Sequence, residues 1–246
     1  MALTRVMIKA VAVWGVALVG EALYAVLYPV PTVQEYDAST VVGDPDLPPL
    51  SICAVGDSTM TGAGLDTAND IWICQLASRL SDRFRVTITS HAVGGSTARD
   101  VRNDQLGAAV ATAGDITFVS VGANDALRGE SRERFSANLE AILTTLAATG
   151  TAVVISGVGD LGSIPRLLPP LDRLIQRRGR RFDVISATLA ARHGAVKVDM
   201  WGLTAEQFRT LPGIFSSDRF HPTRLGHRIW ADAAEVTIAP VVSRFA

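Results

Sequence analysis

Four short segments of this chain carry residue types that suit nucleophilic chemistry at a carbonyl. They are Gly56-Asp57-Ser58-Thr59, Gly94-Gly95-Ser96-Thr97, Gly122-Ala123-Asn124-Asp125 and Asp218-Arg219-Phe220-His221-Pro222-Thr223. A serine that opens a turn can attack through its hydroxyl while its uncommitted backbone N–H helps to hold an oxyanion. Ser58 is such a serine. It does not form a G-x-S-x-G elbow, because Gly56 stands two positions before it and Met60 two after. Tandem glycines permit close backbone approach, so Gly95 N–H is a candidate second oxyanion donor, and the Asn124 side-chain amide a third. Only two residues separate Asp218 from His221, so the carboxylate can reach one imidazole nitrogen and leave the other to act as a base toward Ser58. Each segment also has a purely structural reading: a strand-to-helix turn, a tight glycine turn, or a polar pair capping a helix. Asp125 reads as a loop tie or helix cap. His91 is a candidate pocket residue, His193 a helix end, and His227 an exposed or half-buried position on the last helix.

The elements that must position these segments alternate between strand and helix. Strands are expected at LSICAV before Gly56, at Phe84–Thr89, Ile116–Val121, Ala152–Ser156 and Ala195–Met200. Helices are expected over Asp70–Leu80 with Asn69 or Asp70 as cap, Arg99–Thr112, and Ser131–Thr149 with Ser131 as cap. A further helix runs from the prolines at 169 and 170 to Arg192 with an interruption near Gly179, and a last one from Thr223 or Arg224 to about Ile238. Trp201–Phe220 reads as a long loop. This alternation calls for an α/β fold with a mostly parallel five-stranded central sheet flanked by helices. In such a sheet the strand-to-helix loops open at one edge, where ligands bind. Three of the four segments follow strands, and the fourth precedes the last helix.

The chain of 246 residues is 48% hydrophobic, enough for one domain with a full core plus an extension. With 23 basic and 24 acidic side chains the net charge is −1, which gives no electrostatic reason to expect nucleic acid as a partner. Cys53 and Cys74 lie in apolar runs and read as buried free thiols, with pairing the alternative in an exported domain. The four histidines show no metal-ligand spacing, so neither a metal nor an organic cofactor is expected. At the N-terminus Arg5 and Lys9 precede an apolar stretch that reaches Tyr28 with Glu21 inside it. The run from Ala10 to Tyr28 is close to the roughly 20 residues that a spanning helix needs. Residues 1–28 therefore read as a retained signal anchor, a cleaved signal, or a helix packed on the domain. Residues 6–28 would supply any membrane association. The first two readings put the catalytic domain at the cell membrane or outside the cytoplasm, and the third leaves a cytoplasmic protein. Residues 29–49, rich in proline and acids, read as a linker, and the catalytic domain as 50–246.

Taken together, GDST at 56–59, GGST at 94–97, GAND at 122–125 and DRFHPT at 218–223 resemble the SGNH hydrolases, also called the GDSL esterase/lipase superfamily. The four blocks occur in the family's order and cover the chain from about Leu50 onward. Thr59 stands where the family usually has leucine, and Ser90 where the second block often begins with asparagine. The resemblance implies a three-layer α/β sandwich. It also implies a catalytic set of Ser58 as nucleophile, His221 as base and Asp218 as its orienting acid, with Ser58, Gly95 and Asn124 supplying the oxyanion hole. The expected substrate is a small-molecule or lipid ester, with Leu167, Leu168, Leu203, Phe208, Leu211, Ile214 and Phe215 as a candidate apolar wall. An acyltransferase and a carbohydrate O-deacetylase use the same machinery. A lipid- or carbohydrate-binding protein is the non-enzymatic alternative. Nothing in the sequence calls for an obligate oligomer.

Overall fold

A computed structural model of the chain describes residues 33–245, together with Gly15 and Gly20. The expected helix over residues 1–28 lies outside the described residues apart from those two glycines. No helix among the described residues is long and apolar enough to cross a membrane.

Six strands form one sheet: β1 (Thr40–Val42), β2 (Pro49–Gly56), β3 (Arg85–Ser90), β4 (Ile116–Ser120), β5 (Ala152–Ile155) and β6 (Val196–Lys197). Their spatial order is β1-β3-β2-β4-β5-β6, with β1 antiparallel to β3 and every other pair parallel. The sheet therefore has one strand more than the five expected, and the added strand lies inside the expected 29–49 linker. Its β-branched Thr40-Val41-Val42 covers the open edge of β3, Ser39 Oγ accepts from Ser90 N at 3.0 Å, and Ala38 is buried in the core. The prolines on either side obscure this short strand in the sequence. The expected strand at Ala195–Met200 shrinks to Val196–Lys197, because Asp199 caps a helix by accepting from Gly202 N at 2.9 Å.

The helices are α1 (Ser58–Thr61), α2 (Trp72–Leu80), α3 (Ala98–Asp100), α4 (Leu106–Ala111), α5 (Ala123–Leu127), α6 (Arg132–Ala147), α7 (Leu171–His193), α8 (Met200–Thr210) and α9 (Arg224–Val242). A π-helical stretch, Val101–Gln105, joins α3 to α4. Ser131 caps α6 by accepting from Arg134 N at 3.2 Å, and His193 ends α7, both as expected. Five expectations about the helices need correction. α7 runs unbroken through Gly179, where a Cβ would stand 3.0 Å from Leu161 Cδ1, so this glycine permits close packing and does not break the helix. α8 fills much of the expected long loop at Trp201–Phe220. Thr223 precedes α9 without capping it through its side chain, which donates instead to Gly213 O at 2.6 Å. Neither Asn69 nor Asp70 caps α2; Ile71 precedes it, and Trp72 N donates to His227 Nδ1 at 3.2 Å. His227, expected at or near the surface, is thus 1% exposed.

Alternation along β2 divides the core into two layers. Leu50, Ile52 and Ala54 pack with Ile73 and Leu76 of α2 and with Ala234 and Ile238 of α9. Cys53 and Val55 face the other side, against Val119 and the α6–α7 pair, where Phe135 and Phe182 stack at 4.6 Å between centroids. Burying each such aromatic ring contributes on the order of 2–3 kcal/mol. Cys53 and Cys74 are free and lie in different layers, so the sheet keeps the two thiols apart. Strand order reverses at β2, whose neighbours are β3 and β4. A crevice consequently opens beyond the carboxyl ends of β2 and β4.

The His227 contact makes a test of the fold. Burial, and then the neighbouring His221, pushes its pKa from 6.5 down to about 3. Below pH 6.5 the unfolded chain accepts a proton here that the folded protein refuses until near pH 3, so stability falls with pH across that window. His227→Gln keeps an acceptor for Trp72 N and removes the titration. Thermal unfolding followed by circular dichroism should show a smaller loss of Tm between pH 7 and 4 than wild type; equal losses would refute this account.

Candidate active site

The first segment sits at the crevice because β2 ends at a glycine that no other residue can replace. Gly56 has φ 150°, and a Cβ there would stand 2.5 Å from Ser120 O. Asp57 then caps α1: its Oδ1 accepts from Thr59 N at 3.0 Å and from Thr59 Oγ1 at 2.9 Å. Ser58 is the first residue of α1 and half-buried, and its N–H has no acceptor among the described residues. Asp57 is 1% exposed, and burial, opposed by the bonds from Thr59 and by His221, pushes its carboxyl up to about 6.

The second and third segments are tied to the first by two side-chain amides. Asn124 Nδ2 donates to Ser96 O at 3.1 Å and to Asp57 Oδ2 at 3.3 Å. Gln105, buried in the π-helical stretch, accepts from Gly56 N at 2.8 Å and donates to Gly56 O at 2.9 Å and Ser96 Oγ at 3.0 Å. Gly95 adopts φ 75°, and its N–H also has no acceptor among the described residues. Asp125 is fully buried and holds α5 against the start of α3 by accepting from Ala98 N at 3.0 Å. A chain of hydroxyls adds a third tie. Ser156 Oγ donates to Ser120 Oγ at 2.9 Å, and Ser120 Oγ lies 2.7 Å from Thr59 Oγ1. Gln105, Ser120 and Ser156 carry no sequence signal of this role, since each is an ordinary polar residue at a strand end or in a helix.

In the fourth segment Asp218 Oδ1 accepts from Ser216 Oγ (2.7 Å), Phe220 N (2.7 Å) and His221 N (2.9 Å). Its Oδ2 lies 2.7 Å from His221 Nδ1. Burial works against the Asp218 carboxylate, but these hydrogen bonds outweigh it and hold its pKa below the ordinary value. An ionised carboxylate only accepts, so Nδ1 carries the proton and Nε2 is left as the basic nitrogen. Arg219 between them adopts φ 61°, the one positive φ of a non-glycine residue among the described residues.

Ser58, Asn124 and His221 line one cleft, whose empty space, counting its solvent-open mouth, is about 870 Å³. Among the described residues no hydrogen bond joins Ser58 to His221; such contacts are often loose before a substrate binds. Neither Gly95 nor Ser96 is among the cleft-lining residues; their loop is joined to the cleft through Asn124 Nδ2, which donates to Ser96 O. The walls are largely apolar, with Trp72, Leu161, Ile164, Phe208, Phe215 and Phe220 prominent. Of the expected wall, Phe208 and Phe215 take part; Leu168, Leu203 and Leu211 are exposed, Ile214 is buried against Phe208, and Leu167 packs on the core. His91 does not line the cleft; its Nε2 lies 2.7 Å from Thr112 Oγ1. Among the described residues no three of His, Cys, Asp and Glu converge on a metal-sized site.

The family model described as GDSL-like Lipase/Acylhydrolase matches residues 54–229, a span that contains all four segments. Solved structures with the same fold include TesA, at 23% identity and a TM-score of 0.65, covering 78% of this chain and 99% of that one. A variant of Axe2, an acetyl xylan esterase from Geobacillus stearothermophilus, is similar at 18% identity and TM-score 0.64, covering 80% and 96%. The psychrotrophic esterase EstA from Pseudoalteromonas sp., in a structure inhibited by monoethylphosphonate, has 16% identity and a TM-score of 0.61, covering 78% and 98%. At these identities the likeness is one of fold. No curated protein matches the chain.

The Gln105 clamp predicts a cost. Gln105→Leu leaves the Gly56 N–H buried without an acceptor, a loss worth about 1–3 kcal/mol, whereas Gly56 O keeps its bond from Val93 N at 3.1 Å and Ser96 Oγ keeps its bond to Val93 O at 2.7 Å. Urea unfolding should show the variant less stable by at least that amount; an unchanged midpoint would show that the clamp does not hold the two loops.

Proposed function

Since the chain belongs to the GDSL-like lipase/acylhydrolase family, we propose that it is a serine hydrolase that cleaves carboxylic esters through an acyl-serine intermediate. The observation that carries this reading is the Asp218–His221 pair at 2.7 Å, set in the same cleft as Ser58. His221 Nε2 takes the proton of Ser58 as its oxygen attacks the ester carbonyl. The resulting oxyanion is held by Ser58 N–H, Gly95 N–H and the Asn124 amide. Both Asn124 amide hydrogens already have acceptors, and the one on Asp57, at 3.3 Å, is the longer and easier to redirect. Collapse breaks the ester C–O bond, and the alcohol leaves with the proton from His221. Water, deprotonated by the same imidazole, then attacks the acyl-serine and releases the acid. No step requires a metal or an organic cofactor.

The aromatic and aliphatic walls support an apolar acyl or alcohol group, so an esterase or lipase fits the cleft better than an O-deacetylase acting on a polar sugar. An acyltransferase would use the same first half-reaction and admit an alcohol in place of water.

Turnover of p-nitrophenyl acetate, butyrate and octanoate tests the reading. Ser58→Ala should lower kcat by a factor on the order of 10⁴–10⁶ while the fold persists. Asn124→Ala should cost about 3 kcal/mol of transition-state stabilisation, on the order of 10²-fold in kcat. Wild-type-like turnover in Ser58→Ala would overturn the assignment, and wild-type-like turnover in Asn124→Ala would remove that residue from the oxyanion hole.

A further inference from the structure

Of the three oxyanion donors in the proposed reaction, Gly95 N–H stands in the loosest piece of backbone. Ser96 N donates to Val93 O at 3.2 Å, which makes Gly94 and Gly95 the two central residues of a β-turn. Glycine restrains its own backbone less than any other residue, and here two stand side by side. A donor contributes fully to an oxyanion only when its direction is set before the substrate arrives. The flanks of the turn are fastened: Val93 N donates to Gly56 O at 3.1 Å, and Ser96 Oγ to Val93 O at 2.7 Å. Among the described residues, one hydrogen bond reaches the backbone of the two glycines themselves, from Gly94 N to Glu35 Oε2 at 3.2 Å.

The Glu35 carboxylate also lies where a Cβ of Gly94 would stand, so the missing side chain is what admits it. Glu35 itself is exposed, but its neighbour is fastened at three points. Tyr36 N donates to Thr61 O at 2.8 Å, and Tyr36 Oη to Asp66 O at 2.8 Å and to Leu65 O at 3.2 Å. Thr61 is the last residue of α1, the helix that Ser58 opens, and Leu65 and Asp66 follow it. Two positions beyond Tyr36, Ala38 is buried in the core. A strap anchored on the serine's own helix thus presents a carboxylate to the oxyanion turn with most of its ordering already done. The strap precedes residues 54–229 and lies outside the domain that the family model matches.

We propose that Glu35 is a positioning residue for the oxyanion hole, holding the Gly94-Gly95 turn so that Gly95 N–H faces the reacting carbonyl. It acts through the turn and bonds neither Ser58 nor His221 among the described residues. The role rests on the esterase reading, in which Gly95 is a donor, but the restraint on the turn is measurable without turnover. Losing an oxyanion donor lowers kcat by roughly 10²–10³-fold, and a turn that presents it about one-tenth of the time lowers kcat about tenfold.

The experiment uses the full chain and p-nitrophenyl butyrate. Glu35→Ala should lower kcat about tenfold with KM nearly unchanged, the signature of an interaction made in the transition state. Its unfolding midpoint should stay near wild type, since the side chain is exposed. Glu35→Gln, whose amide oxygen accepts the same bond, should restore most of the rate. Gly94 does not adopt a positive φ, so Gly94→Ala fits the backbone, but its Cβ displaces the carboxylate and should reproduce the Glu35→Ala loss. The double variant should then be no slower than either single one. In ¹⁵N-glycine-labelled protein the Gly94 and Gly95 amide signals should broaden or shift in Glu35→Ala and return toward wild type in Glu35→Gln. Wild-type kcat or unmoved glycine amides in Glu35→Ala, equal losses in Glu35→Ala and Glu35→Gln, or additive losses in the double variant would overturn the positioning role. Absence of turnover in every form defeats the esterase reading alone, since the amides still report whether Glu35 holds the turn.

Discussion

A carboxylate buried at the end of the central strand organises the crevice. Taking Asp57 out of water is unfavourable unless donors surround it, and its hydrogen bonds come from three positions: Thr59 N, Thr59 Oγ1 and Asn124 Nδ2. Satisfying Asp57 thus requires α1 to start immediately after β2 and α5 to start immediately after β4. Because Thr59 gives its hydroxyl hydrogen to Asp57, it receives one from Ser120, which in turn receives one from Ser156. The ends of β2, β4 and β5 are cross-tied by one directional chain of hydroxyls. A half-satisfied network of this kind would be worse than an apolar one, so its completeness fixes a single loop arrangement.

The same logic operates around Asp218. Three donors converge on Oδ1 and leave Oδ2 to the imidazole, so the carboxylate cannot rotate without losing several bonds together. Orientation of His221 follows from that rigidity. The left-handed backbone at Arg219 is what lets Phe220 N and His221 N turn back to the carboxylate. Arg219 O also accepts from Arg166 N at 3.1 Å, so the loop after β5 is fastened to the loop that carries the histidine. Leu161 and Ile164 of the loop after β5 line the cleft together with groups contributed by α2 and α8.

Several sequence readings failed for identifiable physical reasons. Tertiary packing supplied the first partner of α2 through His227, where local capping rules pointed to Asn69 or Asp70. Gly179 carries the composition of a helix break, but its missing Cβ admits Leu161 to the α7 surface. β1 is too short and too closely bounded by prolines to announce itself, and it forms because the edge of β3 needs covering. The seven-residue apolar wall was partly mistaken because periodicity does not say which side of α8 turns inward.

The sequence by itself determined the alternation of strands and helices, the parallel character of the sheet, and the four segments at its carboxyl edge. These follow from local rules: the two-residue period of buried strands, glycine at tight turns, and the two-residue spacing that lets Asp218 reach His221. Only the tertiary structure decided how the segments are locked together and what encloses the cleft. Gln105 reaches Gly56 across 49 positions of chain, and Trp72 and Phe208 meet at one cavity from different helices. Such contacts depend on strand order and helix orientation, which are properties of the packed core and leave no mark at any single residue.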